Sequence, residues 1–225
     1  MIVITGASSG LGAAISTHFH TSGVEVIGVA RKEFAADFET VSLDVGDSEA
    51  VREFAGQLKR RRIAMNGLVN AAGIASMNLA IMTPSASVEA IMRTNLLGTI
   101  FMCQSLSPLI MRAGGGTVVN FSTIAVALGL EGESVYVASK AGVEGFTRAF
   151  AREVADHGIR VNCVAPGPID TALIRGVSQR QREAIVNRQV IRKMHTVEDV
   201  TDVVASLFDR RLESISGQVI SVGGA

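Results

Sequence analysis

Seven short apolar runs punctuate this chain of 225 residues, and longer stretches with helical periodicity lie between them. The runs are Ile2–Ile4, Val24–Val29, Thr40–Leu43, Gly67–Asn70, Gly116–Phe121, Ile159–Val164 and Gln218–Val222. The helical stretches are Leu11–Ser22, Asp47–Arg61, Val88–Arg112, Val135–Asp156 and Thr196–Phe208. Apolar runs of strand length suit strands buried on both faces, and the helices between them supply the crossovers that parallel strands need. The expected fold class is therefore α/β: a doubly wound, Rossmann-like parallel sheet of about seven strands, with helices on both faces and right-handed crossovers. There is no repeat, low-complexity tract or linker, so residues 1–225 are expected to form a single domain. One interval departs from the pattern. Only twelve residues separate Arg31 from Asp44. The helix there is expected to be short or absent, and the adjoining end of a ligand pocket more open.

Composition narrows the function. A formal net charge of zero argues against nucleic acid or a membrane surface as the main partner. No run of about 18 uncharged apolar residues is present, so no membrane span is expected. The chain opens directly into a strand, so no leader is expected. Cys103 and Cys163 sit in apolar contexts and read as buried free thiols, which fits a reducing cytoplasm. His18, His20, His157 and His195 lack metal-ligand spacing, so no metal is expected.

The first strand runs into Thr5-Gly6-Ala7-Ser8-Ser9-Gly10-Leu11-Gly12, which opens a helix. Glycines let the backbone turn tightly and approach a ligand. The helix N-terminus then offers free N–H groups and a positive dipole end to a pyrophosphate. The same turn also serves a plain strand–helix connection. Its spacing is T-G-x-x-x-G-x-G rather than G-x-G-x-x-G. The second strand ends Ala30-Arg31, with no carboxylate to bind a ribose 2′-hydroxyl. The Arg31 guanidinium suits a 2′-phosphate, and Ser8 and Ser9 add hydroxyl donors. The expected cofactor is NADP(H) in preference to NAD(H).

Tyr136-Val-Ala-Ser-Lys140 contains the chain's only tyrosine. Residues four apart on a helix share a face. Free tyrosine titrates near ~10 and exchanges its proton poorly at neutral pH. An adjacent ammonium group favours the phenolate, so Lys140 is expected to lower the Tyr136 pKa and tune it for acid–base work on an alcohol oxygen.

Taken with the turn, this pair resembles the single-domain branch of the short-chain dehydrogenase/reductase family, and particularly the 3-oxoacyl-carrier-protein reductase type. Further segments extend the resemblance along nearly the whole chain: Leu43-Asp44-Val45, Asn70-Ala71-Ala72-Gly73, Asn95, Val119-Asn120-Phe121-Ser122-Thr123 and Arg160 through Thr171. The resemblance implies that Tyr136 gives a proton to a carbonyl oxygen while NAD(P)H delivers hydride, or the reverse. It implies that Lys140 also binds the nicotinamide ribose, and that Asn95 links Lys140 to solvent through water. It implies cofactor contacts from Gly6, Ser8, Ser9, Gly10, Leu11, Gly12, Asp44, Val45, Asn70, Ala71, Ala72, Gly73, Pro166, Gly167, Ile169 and Thr171. The family's catalytic serine lies thirteen residues before the tyrosine. That position is Thr123 here, with Ser122 beside it. Neighbours on a strand point to opposite faces, and Thr123 is favoured.

The segment from Ala172 to His195 is expected to form a short lid over the substrate. It carries Arg175, Arg180, Arg182, Arg188, Arg192 and Lys193 against Glu183 alone. Such a patch suits a carrier protein's acidic surface or a phosphopantetheine phosphate, and equally a solvated helix face. Leu173, Ile174, Val177, Ile185, Val186 and Met194 fit an acyl substrate or ordinary packing. The expected activity is NADPH-dependent reduction of a 3-oxoacyl thioester, free or on an acyl carrier protein. Oxidation of a secondary alcohol, sugar or steroid is the alternative, and a non-catalytic NADP sensor a second one. Family members pair the helices at Val88–Arg112 and Val135–Asp156 between subunits, which implies a homotetramer.

Overall fold

In the computed structural model, which describes residues 1–171 and 179–225, all seven expected strands are present and join one parallel sheet. They are β1 (Ile2–Thr5), β2 (Val26–Ala30), β3 (Glu39–Ser42), β4 (Gly67–Asn70), β5 (Gly116–Phe121), β6 (Ile159–Pro166) and β7 (Val219–Val222). Their order across the sheet is β3-β2-β1-β4-β5-β6-β7. The order reverses between β1 and β4. That is where an open α/β sheet leaves a crevice at its carboxyl edge.

Alternation along each strand explains the two cores. In β1, Val3 faces one side while Ile2 and Ile4 face the other. The Val3 side is closed by α2 (Ser48–Arg60), α4 (Gly98–Arg112) and α6 (Ser134–Glu153), through Phe54, Leu58, Met102, Leu106, Ile110 and Phe150. The opposite side is closed by α1 (Gly10–Thr21) and α8 (Val197–Phe208), through Ile15, Phe19, Val204 and Leu207. Burying one such side chain stabilises by roughly 1.5–3 kcal/mol. Asp47 and Thr196 cap α2 and α8 by accepting from N–H groups of their first turns.

The interval after Arg31 contains no helix. Residues 31–38 cross irregularly from β2 to β3, and Phe34 and Phe38 cover Gly28 of β2. The helix expected at Val88–Arg112 is compound. It comprises α3 (Ser85–Ile91), one turn of π-helix at Met92–Leu97, and α4. Such wide turns concentrate at functional positions, and this one carries Asn95. A short α5 (Ala125–Leu128) follows β5, and α7 (Gln179–Arg188) lies in the expected lid segment. Residues 172–178 fall outside the described residues, and with them Leu173, Ile174, Arg175 and Val177. No helix among the described residues is long and apolar enough to cross a membrane.

Candidate active site

The turn between β1 and α1 is shaped by what cannot fit there. A Cβ at Gly12 would lie 2.3 Å from the Gly6 carbonyl oxygen. Gly6 has a φ of +72°, and a Cβ there would meet the Ala71 and Ala72 backbone at 2.9 Å. The turn is thus wedged against the residues that follow β4. Thr5 reinforces the junction by accepting from the Ala72 N–H at 3.0 Å. Ser8, Ser9 and Gly10 are exposed, and Ser9 at the head of α1 makes no capping bond. The first turn of α1 also carries no carboxylate. Free amides at a positive helix end, without a competing anion, are what a pyrophosphate requires. Arg31 is exposed at the end of β2, Asp44 is exposed beyond β3, and Val45 is buried against Gly98.

A chamber opens from this turn toward the substrate side. Leu11, Ala71, Gly73, Pro166, Gly167, Ile169 and Thr171 line it together with Thr123, Tyr136 and Lys140. Residues from both halves of the chain therefore meet in one place. The Lys140 ammonium donates to the Phe121 carbonyl at 2.9 Å and lies 6.0 Å from the centre of the Tyr136 ring. Burial holds its pKa down at about 8.

The expected lowering of the Tyr136 pKa by Lys140 is not met. Burial pushes the phenol upward, and the negative charge of Glu133 pushes the same way. A hydrogen bond with Thr123 acts in the opposite sense but does not prevail. Lys140 turns to the Phe121 carbonyl, and desolvation outweighs what a cation at that distance supplies. The phenol is held in its protonated form, the state a general acid needs.

Ser122 and Thr123, the two residues after β5, both line the chamber but bond differently. The Ser122 hydroxyl donates to Glu144 at 2.7 Å, and Arg148 pairs with the same carboxylate at 3.3 Å. Thr123 Oγ1 accepts from the Ala125 N–H at 3.2 Å and lies with Tyr136 in the chamber. Asn95 is fully buried. Its side chain accepts from the Ile74 N–H at 2.8 Å and donates to the Ile74 carbonyl at 2.9 Å and to Ser139 Oγ at 3.1 Å. A Cβ at Gly73 would meet Asn95 Oδ1 at 3.4 Å and Lys140 Nζ at 3.5 Å, so bare backbone separates the two. Asn70 points elsewhere. Its amide donates to Asn120 at 2.9 Å within a buried network that continues to Thr147.

Two features escaped the sequence reading. Glu133 is buried in the chamber wall one turn before Tyr136, a position that i, i+3 spacing alone would have flagged. Gln189 is buried against Gly167 and Gly223, and His195 is buried against Gly223, where only the fold brings them to the end of β7. Among the described residues no cluster of three or more metal-ligating side chains occurs.

A glycine-shaped phosphate turn, a reversal in strand order and a tyrosine–lysine pair in one chamber define a nicotinamide-dependent oxidoreductase. The comparisons agree: residues 6–224 match the family described as Enoyl-(Acyl carrier protein) reductase. The chain belongs to this family of short-chain dehydrogenases/reductases. It is 32% identical to Nodulation protein G of Rhizobium sp. (strain N33), over 99% of this chain and 94% of that protein. It is 31% identical to the 3-oxoacyl-[acyl-carrier-protein] reductase FabG of Thermotoga maritima, over 99% of this chain and 95% of that one. The solved aldohexose dehydrogenase of Thermoplasma acidophilum superposes with a TM-score of 0.90 at 27% identity, covering 99% of this chain and 92% of that one.

Proposed function

We propose that the chain reduces a ketone to a secondary alcohol with NADPH, that its substrate is a 3-oxoacyl thioester, and that Tyr136 is the general acid. One observation carries this reading: Tyr136, Thr123 and Lys140 share a chamber that runs continuously to the free head of α1. The cofactor, when bound, supplies the hydride. Tyr136 then delivers its proton to the carbonyl oxygen, and its upward-shifted phenol keeps that proton available. The Thr123 hydroxyl holds the same oxygen. Lys140 sits where a ribose hydroxyl would find a donor, and Asn95 fixes the loop after β4 beside it. Arg31, free of a neighbouring carboxylate on β2, supports the preference for NADPH. The 3-oxoacyl reductase relative supports the thioester. Exposed Arg180, Arg188 and Arg192 support a carrier protein as its bearer. The family's helix pairing supports a homotetramer, which a monomer in light scattering would exclude.

A second reading is oxidation of a polar secondary alcohol such as a sugar. The aldohexose dehydrogenase likeness favours it, and so does a carboxylate in the chamber wall. The test is NADPH consumption with an acetoacetyl thioester, against NADP⁺ reduction with a panel of alcohols. Tyr136→Phe is expected to lose about 10²–10⁴-fold in turnover while still binding cofactor. Undiminished reduction by that variant would end the proposal.

A further inference from the structure

Glu133 is only 8% exposed, and its carboxylate has no hydrogen bond or ion pair among the described residues. It stands at the N-cap position of α6, where an acidic side chain ordinarily accepts from amides of the first turn. Here it makes no capping bond. Its side chain instead lines the chamber with Tyr136, Thr123 and Lys140. It also lines the adjoining hollow formed by Met77, Leu79, Leu130 and Ile185. Most of those neighbours are apolar, and the other polar side chains of the hollow are Glu131 and Gln181. A largely buried carboxylate that no protein donor satisfies is available to a donor on a ligand in the chamber. The chamber cation Lys140 is engaged with the Phe121 carbonyl, and Arg188 on α7 donates to the Leu128 carbonyl.

We infer that Glu133 is a specificity-determining residue that accepts a hydrogen bond from an N–H or O–H group of the substrate, on the side of the reacting carbonyl away from the turn at α1. This rests on the chamber being the site of ketone–alcohol chemistry, and it deepens that reading. It selects substrates that carry a donor within a few atoms of the carbonyl and disfavours those with acceptors only. Two sources supply the donor. One is the amide N–H of a pantetheine-like thioester arm, and the other is a hydroxyl or ammonium group on the carbon skeleton itself.

The experiment compares three ketones with the NADPH-loaded protein: the N-acetylcysteamine thioester of acetoacetate, 4-hydroxy-2-butanone, and ethyl acetoacetate, which has no donor. Both kcat/KM and the calorimetric Kd of each are measured for wild type, Glu133→Gln and Glu133→Leu. Wild type is expected to prefer at least one donor-bearing compound over the ester by about tenfold or more. Preference for the thioester assigns the arm, and preference for the hydroxyketone assigns the skeleton. Glu133→Leu is expected to erase the ratio. Glu133→Gln, which keeps an acceptor oxygen, retains part of it. Using ratios cancels whatever the lost charge does to Tyr136, because that affects all three compounds alike. A flat wild-type profile, or equal losses on donor-bearing and donor-free ketones in Glu133→Leu, overturns the inference. If no ketone turns over, the reductase proposal fails, and the Kd ratios still decide the role of Glu133.

Discussion

The turn at the head of α1 and the chamber beyond Tyr136 are built by opposite means. The turn is made of backbone, and side chains are excluded from it: a Cβ at Gly12 has nowhere to go. The chamber is made of side chains drawn from β5, α6, the loop after β6 and α7. A backbone-shaped site binds what every nucleotide shares, which is phosphate. A side-chain-shaped site binds what distinguishes one substrate from another.

The sharpest test of that division lies at the two positions that follow β5. Thr123→Ala removes a hydroxyl from the chamber and is expected to cost about 10²–10³-fold in kcat, as loss of a donor to a developing oxyanion does. Ser122→Ala removes a hydroxyl from the chamber wall that is already committed to Glu144. It is expected to cost about 1 kcal/mol of stability and only a few fold in rate. If the two variants exchange these outcomes, the serine is the chemical group of the chamber.

At the turn, Gly12→Ala places a methyl group 2.3 Å from the Gly6 carbonyl oxygen. Backbone cannot step aside as a flexible side chain can, so the cost is expected to be about 3 kcal/mol. Thermal unfolding is expected to fall by roughly 6–12 °C and cofactor Kd to rise, with substrate preference unaltered among the molecules that still bind. A variant with unchanged melting and unchanged Kd would show that the turn is not clamped.

The same contrast governs what the sequence disclosed. All seven strands were legible, because strands buried on both faces write themselves as apolar runs. The absent helix between β2 and β3 was legible from spacing alone. Gly6, Gly12, Tyr136 and Lys140 were legible because backbone geometry and proton chemistry admit few substitutes. The direction of the Tyr136 shift was not. It depends on how deeply the phenol is buried and on Glu133, and neither depth nor an unpaired carboxylate has a sequence signature. The break of the long helix at Met92–Leu97 was invisible for a related reason. One extra residue in a turn leaves the apolar pattern nearly intact.

Lys140 supplies a test on the chamber side through stability. Its folded pKa of about 8 lies below the ordinary lysine value of 10.5, so the buried charge disfavours the folded state wherever lysine is protonated when unfolded. That penalty is complete below pH 8, shrinks as pH rises toward 10.5, and amounts to about 3 kcal/mol. Lys140→Met removes it but leaves the Phe121 carbonyl without its donor, which returns roughly 1–2 kcal/mol. The cofactor-free variant is therefore expected to be more stable than wild type by about 1–2 kcal/mol at pH 7, with the difference vanishing as pH rises and reversing to about 1 kcal/mol in favour of wild type by pH 10.5, where only the lost hydrogen bond remains. Loss of stability at pH 7 would show that the ammonium is better solvated in the chamber than its burial implies.

The smallest expected effect sits where the two designs meet, at the end of β2. Arg31 is exposed, so it offers a 2′-phosphate one charged fork at the price of little desolvation. Exposed charge pairs are worth little singly, but a bidentate guanidinium–phosphate contact exceeds an ordinary surface pair. Arg31→Asp both removes that contact and sets a carboxylate beside the ribose, where it accepts from a 2′-hydroxyl and repels a phosphate. The ratio of kcat/KM for NADPH over NADH is expected to fall by about tenfold or more, roughly 1.4 kcal/mol. Salt gives the finer measurement. Raising ionic strength from 0.01 to 0.15 M shortens the screening length from about 30 to about 8 Å, so it should erode the wild-type preference for NADPH and leave the variant's ratio nearly flat. An unchanged ratio in Arg31→Asp would move the source of cofactor choice away from β2 and onto Ser8 and Ser9 in the turn.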